Sequence, residues 1–244
     1  MANDTRGRAA HIAYLIRTAI PPMHRGGYPI VGAALLGTVA ARRLLRMVGL
    51  NRPARWVSRA GFLATAGSAA FFRAPIRVSP TGPGVVVAPA DGVVSLIETA
   101  VPPAELDLGD EPRLRVSIFL SVLDVHVQRI PLTGIVTQVA YHPGQFLSAD
   151  LDKASEVNER NSVVILDAQR GHEIVVTQIA GLIARRIVCD VSVGAAVTAG
   201  QTYGLIRFGS RLDTYLPPGT PLKVLIGQRT IGGETVLATL ESQP

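Results

Sequence analysis

The feature that most restricts the fold is a series of short apolar segments that begins after residue 78. Each segment is rich in β-branched residues, and Gly or Pro separates it from the next. Turn signals that recur about every ten residues are typical of an all-β sandwich or barrel. The predicted strands are residues 85–87, 93–97, 114–120, 134–141, 162–166, 173–179, 186–191, 202–208 and 222–226.

The first 77 residues differ from the rest of the chain in charge. They contain twelve arginines and one acidic residue, Asp4, whereas residues 78–244 contain 12 basic and 17 acidic residues. A basic, apolar segment on a mildly acidic body favours an anionic membrane surface as partner. With 5% aromatic residues, a nucleic-acid surface built on stacking is poorly supported. We predict a helical membrane-associating segment over residues 1–77 and a β-rich domain over residues 78–244, an α+β chain that is mainly β.

The apolar runs of the N-terminal segment are too short to cross a bilayer. The two main runs are residues 28–41 and 60–72, and a crossing helix needs about 20 apolar residues. A shorter amphipathic helix is predicted over residues 12–20, and no signal peptide is evident. We expect peripheral or monotopic attachment to the cytoplasmic face of the cell membrane, the alternative being a buried helical hairpin. The predicted headgroup contacts are Arg42, Arg43, Arg46, Arg52, Arg55 and Arg59, with Trp56 at the interface.

An internal repeat supports the all-β interpretation and suggests a function without catalysis. Residues 194–202 and 227–235 match at an offset of 33 residues, and each match precedes an apolar strand. Such glycine-bounded hairpins are typical of interlocking sandwiches like the lipoyl carriers, and residues 88–94 look like a first hairpin of that kind. A membrane-anchored lipoyl-like binding module is therefore an alternative. Against it, the chain has no Met-Lys-Met tip that would accept a lipoyl or biotinyl group, and its single Asp-Lys-Ala sequence, residues 152–154, lies outside these hairpins.

The Gly209-Ser210 pair, between the two repeats, is the first candidate for chemistry. Glycine accepts strained backbone angles and leaves its carbonyl open to the following hydroxyl, although Gly-Ser is also a common turn. His126 follows an apolar strand in a stretch crowded with polar groups, which favours a site. Asp91 either forms an Asp-Gly turn or orients a histidine. His142 opens a turn, and a structural role is its alternative interpretation.

The other histidines and the single cysteine receive structural interpretations. His11, His24 and His172 are expected to be solvated, and Cys189 is expected to be a small buried apolar residue. The spacing of His and Cys residues predicts no metal site.

The order and spacing of eight motifs resemble the pyruvoyl-dependent phosphatidylserine decarboxylases in their short bacterial and archaeal form. The resemblance extends over nearly the whole chain and ends at Phe208-Gly209-Ser210. The matching segments are residues 27–30, 71–75, 88–92, 119–126, 141–146, 152–155, 158–161 and 208–210.

The resemblance implies that a precursor cleaves itself between Gly209 and Ser210 into a large chain, 1–209, and a small chain, 210–244. Ser210 would become an N-terminal pyruvoyl group, which forms a Schiff base with the amine of phosphatidylserine and accepts electrons while carbon dioxide leaves. Phosphatidylethanolamine would be released. Asp91 and His126 match the acid and the histidine of the family, as orienter and general base for self-cleavage.

Departures from the family pattern leave some roles open. Arg129 stands where longer members have a second histidine, so either His126 performs both proton transfers or His142 takes one. Arg211 replaces a small or polar residue and would be solvated or bind the substrate phosphate or carboxylate. The resemblance is compatible with a homodimer and with decarboxylation of another amine. A serine hydrolase is disfavoured, because no Gly-x-Ser-x-Gly elbow surrounds Ser210.

Overall fold

The structure is a computed structural model that describes residues 21–147, 157–182, 186–207 and 209–241. The chain divides into two compact units between Ile76 and Arg77, one residue before the boundary expected from the sequence. The helix predicted over residues 12–20 lies outside the described residues.

The first unit contains two helices, α1 (Tyr28–Met47) and α2 (Asn51–Phe71). Both extend beyond the apolar runs and include the predicted headgroup arginines, because Arg, Ala and Leu are all strong helix formers. The helices pack closely where Gly61 faces Thr38: a Cβ atom at position 61 would lie 2.2 Å from the Thr38 hydroxyl oxygen. Among the described residues, no helix combines the length and hydropathy of a membrane span.

The second unit is built from short antiparallel strands. In chain order they are β1 (Val85–Val87), β2 (Gly92–Ala100), β3 (Arg113–Leu120), β4 (Val127–Arg129), β5 (Gly134–His142), β6 (Arg160–Asp167), β7 (His172–Ala180), β8 (Ile187–Cys189), β9 (Ala196–Val197), β10 (Thr202–Ile206), β11 (Ser210–Leu216), β12 (Arg229–Thr230) and β13 (Val236–Thr239).

The described strands form three sheets. The largest has the order β12-β2-β3-β11-β7-β6-β5-β9, and the smaller ones are β4-β10-β8 and β1-β13. Strand β11 lies inside the large sheet, where Ser210 pairs with Leu120 of β3 on one side and with Ala180 of β7 on the other. The prediction of a mainly β chain with a helical N-terminal segment is confirmed.

Both faces of the large sheet are buried around β11. One face carries the main apolar core, which includes Ile118, Val176 and Leu212. Because side chains alternate along a strand, Arg211, Asp213 and Tyr215 lie on the other face. The central strand therefore combines an apolar face with a buried ionic one.

Several predicted elements were wrong in detail. The strand expected at 222–226 is reduced to a single bridge between Leu222 and Ala238. The strand expected to continue to residue 208 ends at Ile206, and a new strand starts at Ser210. Strand β11 was missed because its charged residues, Arg211 and Asp213, suggest an exposed segment, whereas every residue of the strand is buried. His24 and His172 are buried rather than solvated, since His24 accepts the Gly26 N–H and His172 contacts the Glu241 carbonyl.

Candidate active site

The Gly209-Ser210 peptide lies where the chain passes from one sheet to another. Strand β10 belongs to the three-stranded sheet, and β11, which begins at Ser210, belongs to the large sheet. Gly209 has φ of 60°, a left-handed conformation that costs a residue with a Cβ about 1–2 kcal/mol. Ser210 is fully buried, and its hydroxyl has no hydrogen-bond partner among the described residues. A buried, unpartnered hydroxyl next to a glycine carbonyl is an unusual arrangement that favours a chemical role.

Strand pairing brings His126 to this peptide. His126 directly precedes β4, and β4 pairs with β10 through Val127 and Leu205. The His126 Nε2 atom accepts the Gly209 N–H at 3.2 Å, and its Nδ1 atom lies 3.0 Å from the Asp124 carbonyl oxygen. A carbonyl can only accept, so Nδ1 carries the proton and Nε2 carries the lone pair that accepts the Gly209 N–H. The imidazole therefore presents a basic nitrogen to the residue before Ser210.

The Gly209 carbonyl is held from the opposite direction. Its oxygen accepts the Gly181 N–H at 3.1 Å, and Gly181 directly follows the last residue of β7. The pairing of Ala180 with Ser210 positions this donor. A backbone N–H at that distance also stabilises negative charge on the oxygen when the carbonyl carbon is attacked.

Asp124 shapes the turn that holds His126. Its carboxylate accepts the Ser121 backbone N–H at 2.9 Å and the Ser121 hydroxyl at 2.7 Å, and it pairs with Arg229. Burial acts to raise the pKa of Asp124, but these hydrogen bonds and Arg229 outweigh it and leave the pKa below its ordinary value. The ionised carboxylate thus fixes the turn whose carbonyl faces His126 Nδ1.

Asp91 lies in a charged cluster at the start of β2. Its carboxylate pairs with Arg77 at 2.7 Å and accepts the Gly232 N–H at 2.8 Å. Arg129 belongs to the same cluster and donates to the Gly200 carbonyl at 3.2 Å. Burial and the positive charge of Arg77 lower the pKa of Arg129, while Asp91 and Glu234 partly offset them.

Arg211 and His142 lie on the other face of the large sheet. The Arg211 guanidinium, 2% exposed, makes a bidentate pair with Asp213 through N···O distances of 2.7 and 2.8 Å. His142 ends β5, where it pairs with Arg160 of β6. Strand β5 is three strands from β11 in the sheet, which is a distance of about 14 Å at about 4.8 Å per strand. The strand register therefore does not bring these two side chains to the Ser210 hydroxyl.

One cavity of the second unit is lined by none of these residues. It has a volume of about 910 Å³ and is lined by residues 79–85, 132–135, 166–170 and 196–199. Its lining includes neither Gly209 nor Ser210, nor His126 or Asp91.

Comparison with known proteins shows the family of the chain. Residues 66–238 match the family model described as phosphatidylserine decarboxylase. A phosphatidylserine decarboxylase proenzyme of Nocardia farcinica is 60% identical over 97% of this chain and 95% of its own length. The chain belongs to the phosphatidylserine decarboxylase family. The resemblance read from the motifs is thereby confirmed.

Other family members are nearly as similar. The proenzyme of Rhodococcus jostii is 59% identical over 94% of this chain and 92% of its own length. That of Mycobacterium sp. (strain JLS) is 55% identical over 98% of this chain and 97% of its own length. The word proenzyme in all three names implies the self-processing of this family.

Sequence reasoning found part of the site and missed part of it. Of the predicted site residues, His126 contacts the N–H of Gly209, the residue before Ser210. The contributions of the Asp124 carbonyl and the Gly181 N–H were missed. Both come from backbone atoms, whose direction depends on the fold and leaves no trace in residue type. The only signal was the polar crowding around residues 124–129.

Proposed function

We propose that this protein decarboxylates phosphatidylserine to phosphatidylethanolamine after cleaving itself between Gly209 and Ser210. The observation that carries the proposal is the pair of hydrogen bonds at Gly209: its N–H donates to His126, and its carbonyl oxygen accepts the Gly181 N–H. Beside it lies the buried, unpartnered hydroxyl of Ser210. Family membership supplies the reaction, and this geometry supports the role of the peptide as the scissile one.

Self-cleavage begins with the Ser210 hydroxyl. Its oxygen attacks the Gly209 carbonyl carbon, His126 takes the hydroxyl proton, and negative charge develops on the carbonyl oxygen that Gly181 contacts. The bond to the Ser210 nitrogen then breaks, the nitrogen gains a proton, and an ester joins the two segments. Removal of the Ser210 α-proton expels the Gly209 carboxylate and leaves dehydroalanine. Its imine tautomer reacts with water, releases ammonia and becomes a pyruvoyl group.

The residues present fit that pyruvoyl group. The Ser210 hydroxyl forms no hydrogen bond with the described residues, so its loss removes no described contact. The N-terminus of the small chain would be held by β11, which pairs with both β3 and β7. The pyruvoyl carbonyl supplies an electrophile for a primary amine and an electron sink for decarboxylation. His126, which binds the N–H of Gly209, would supply or remove protons during turnover.

Asp91 is proposed as the acid of the self-cleavage machinery, as the family resemblance implies. Its pairing with Arg77 favours the ionised carboxylate that this role requires. The Asp124 carbonyl acts with it by holding the productive tautomer of His126. We assign Arg129 to the support of the Asp91 cluster and Arg211 to the stability of β11. We assign His142 to the support of Arg160, its cross-strand neighbour.

The family acts on a phospholipid, and the helical unit supports peripheral attachment to a membrane. Arg42 and Arg46 of α1 and Arg55 and Arg59 of α2 line a pocket of about 200 Å³. No hydrogen bond or ion pair joins these four arginines to other described residues. Large apolar side chains are exposed on the same helices, among them Leu36, Met47, Trp56 and Leu63. Anionic headgroups at the cytoplasmic face would pair with such arginines while the apolar side chains enter the interface.

Membrane attachment is tested with vesicles. The full chain should co-sediment with vesicles of phosphatidylserine and phosphatidylcholine more strongly than with phosphatidylcholine alone. Replacing the four pocket arginines by glutamine should abolish that difference. An unchanged preference in the variant would remove these arginines from the proposal.

The proposed reaction is tested by intact mass and by product analysis. The wild-type protein should give two chains, with the smaller one beginning at position 210 and lighter by one ammonia than simple hydrolysis would produce. Ser210→Ala should remain a single folded chain, and His126→Ala and Asp91→Asn should cleave much more slowly. Cleaved wild-type protein should release carbon dioxide from phosphatidylserine vesicles.

The alternatives predict different outcomes. A lipoyl-like module or a serine hydrolase would remain one chain after long incubation with vesicles. A pyruvoyl enzyme for another amine would cleave normally but leave phosphatidylserine unchanged. Normal cleavage in Ser210→Ala would show that the site lies elsewhere.

A further inference from the structure

Asn158 is a fully buried polar residue close to the scissile peptide, and the chemistry above does not use it. It lies two residues before β6, and its side-chain amide makes three hydrogen bonds to backbone atoms. The amide nitrogen donates to the Ala180 and Leu147 carbonyls, each at 2.8 Å, and the amide oxygen accepts the Leu147 N–H at 2.9 Å. Three bonds from one buried amide hold the side chain in a single orientation.

The bond to Ala180 is important because of the peptide unit that it holds. Ala180 and Gly181 share a planar trans peptide, so the Ala180 C=O and the Gly181 N–H point in opposite directions. Asn158 binds the carbonyl on one side, and the Gly209 oxygen accepts the N–H on the other at 3.1 Å. The Ala180 N–H is also used, since it donates to the Glu159 carbonyl at 2.9 Å. The direction of the Gly181 donor is therefore set by residues 158 and 159.

We propose that Asn158 is a positioning residue for self-cleavage, which aims the Gly181 N–H at the Gly209 carbonyl oxygen. This inference rests on the proposed self-cleavage. When the Ser210 oxygen bonds to the Gly209 carbon, the carbonyl electron pair moves onto the oxygen, and a fixed N–H stabilises that charge without reorganisation. The hydrogen bond from Asn158 to the Ala180 carbonyl also polarises the peptide and strengthens its N–H as a donor.

The first test removes the Asn158 donor and keeps the shape of the side chain. Asn158→Leu should slow cleavage of pulse-labelled precursor about 10-fold to 100-fold. Loss of a direct oxyanion donor slows a reaction about 100-fold to 1,000-fold, and the effect of Asn158 should not exceed that because it acts through the Gly181 N–H. The matched control is Asn161→Leu. Asn161 is also buried in this segment, but it donates to the Gln178 side chain at 3.0 Å. The control should cleave within about threefold of the wild-type rate.

Hydroxylamine separates positioning at the acyl shift from a role in a later step. It intercepts the ester, so it bypasses the elimination but not the attack by Ser210. Hydroxylamine should therefore leave Asn158→Leu slower than wild type by the same factor. Full recovery of the cleavage rate would place Asn158 after ester formation and overturn the inference.

A second variant covers the case in which Asn158→Leu does not fold. In Asn158→Asp the protonated carboxyl can still donate to the Ala180 carbonyl, whereas the carboxylate cannot. The ratio of wild-type to variant cleavage rates should therefore grow as the pH rises. A ratio that is constant with pH, or a variant as fast as wild type at every pH, would refute the positioning role. If the wild-type chain itself never cleaves, the failure lies with the proposed function.

Discussion

Asp213 provides the most quantitative test of how the central strand is held. Its side chain is fully buried and lies between two arginines, at 2.7 and 2.8 Å from Arg211 and at 3.7 Å from Arg115. Each such pair contributes about 4 kcal/mol of Coulomb attraction at an effective dielectric constant of about 20, against the cost of taking the charges out of water. Replacing Asp213 by Asn leaves both arginines buried without that carboxylate.

We expect Asp213→Asn to lower the free energy of unfolding by about 3–5 kcal/mol, the range for breaking a buried ion pair from one side. In a chain of this size the melting temperature should fall by about 6–20 °C. The double variant Arg211→Met/Asp213→Leu removes the bidentate pair together, so it should recover at least about 2 kcal/mol of the loss.

The measurement is best made on uncleaved Ser210→Ala protein, because one chain can refold where two cannot. Tyrosine near-ultraviolet circular dichroism reports the second unit, since Tyr203 and Tyr215 are buried there. Tryptophan fluorescence would be misleading, because the only tryptophan, Trp56, belongs to α2. A loss below about 1 kcal/mol for Asp213→Asn, or a double variant less stable than the single one, would refute the reasoning.

Two further predictions concern helix packing and acid stability. Gly61→Ala should destabilise the helical unit by about 1–3 kcal/mol because its Cβ would lie 2.2 Å from the Thr38 hydroxyl, whereas Gly37→Ala, which meets no atom within 4 Å, should stabilise it by up to about 1 kcal/mol. Denaturant titrations followed by Trp56 fluorescence check both, and equal effects at the two positions would contradict the packing. The pKa of Asp124 is lowered in the folded protein, so its contribution to stability is present above the ordinary value of 3.8 and is lost as the pH falls through the folded-state pKa. The stability difference between wild type and Asp124→Asn should therefore shrink on acidification, and a difference that grows would show the wrong sign.

The family and the fold class were both predictable from the sequence because each depends on local patterns. Short β-branched segments between Gly and Pro residues form strands in many contexts, and the Gly209-Ser210 dipeptide is recognisable by its residue types. Prediction from local residue patterns failed at β11. Its polar residues suggest exposure, yet Arg211 and Asp213 are buried because they satisfy each other.

The arrangement around the Gly209-Ser210 peptide was decided by the tertiary structure alone. His126 and Gly209 are 83 residues apart, and the pairing of β4 with β10 brings them together. The tautomer of His126 and the donor to the Gly209 carbonyl both come from backbone atoms, at Asp124 and Gly181. A backbone group has the same chemistry at every position, so only the folded path of the chain determines where it points.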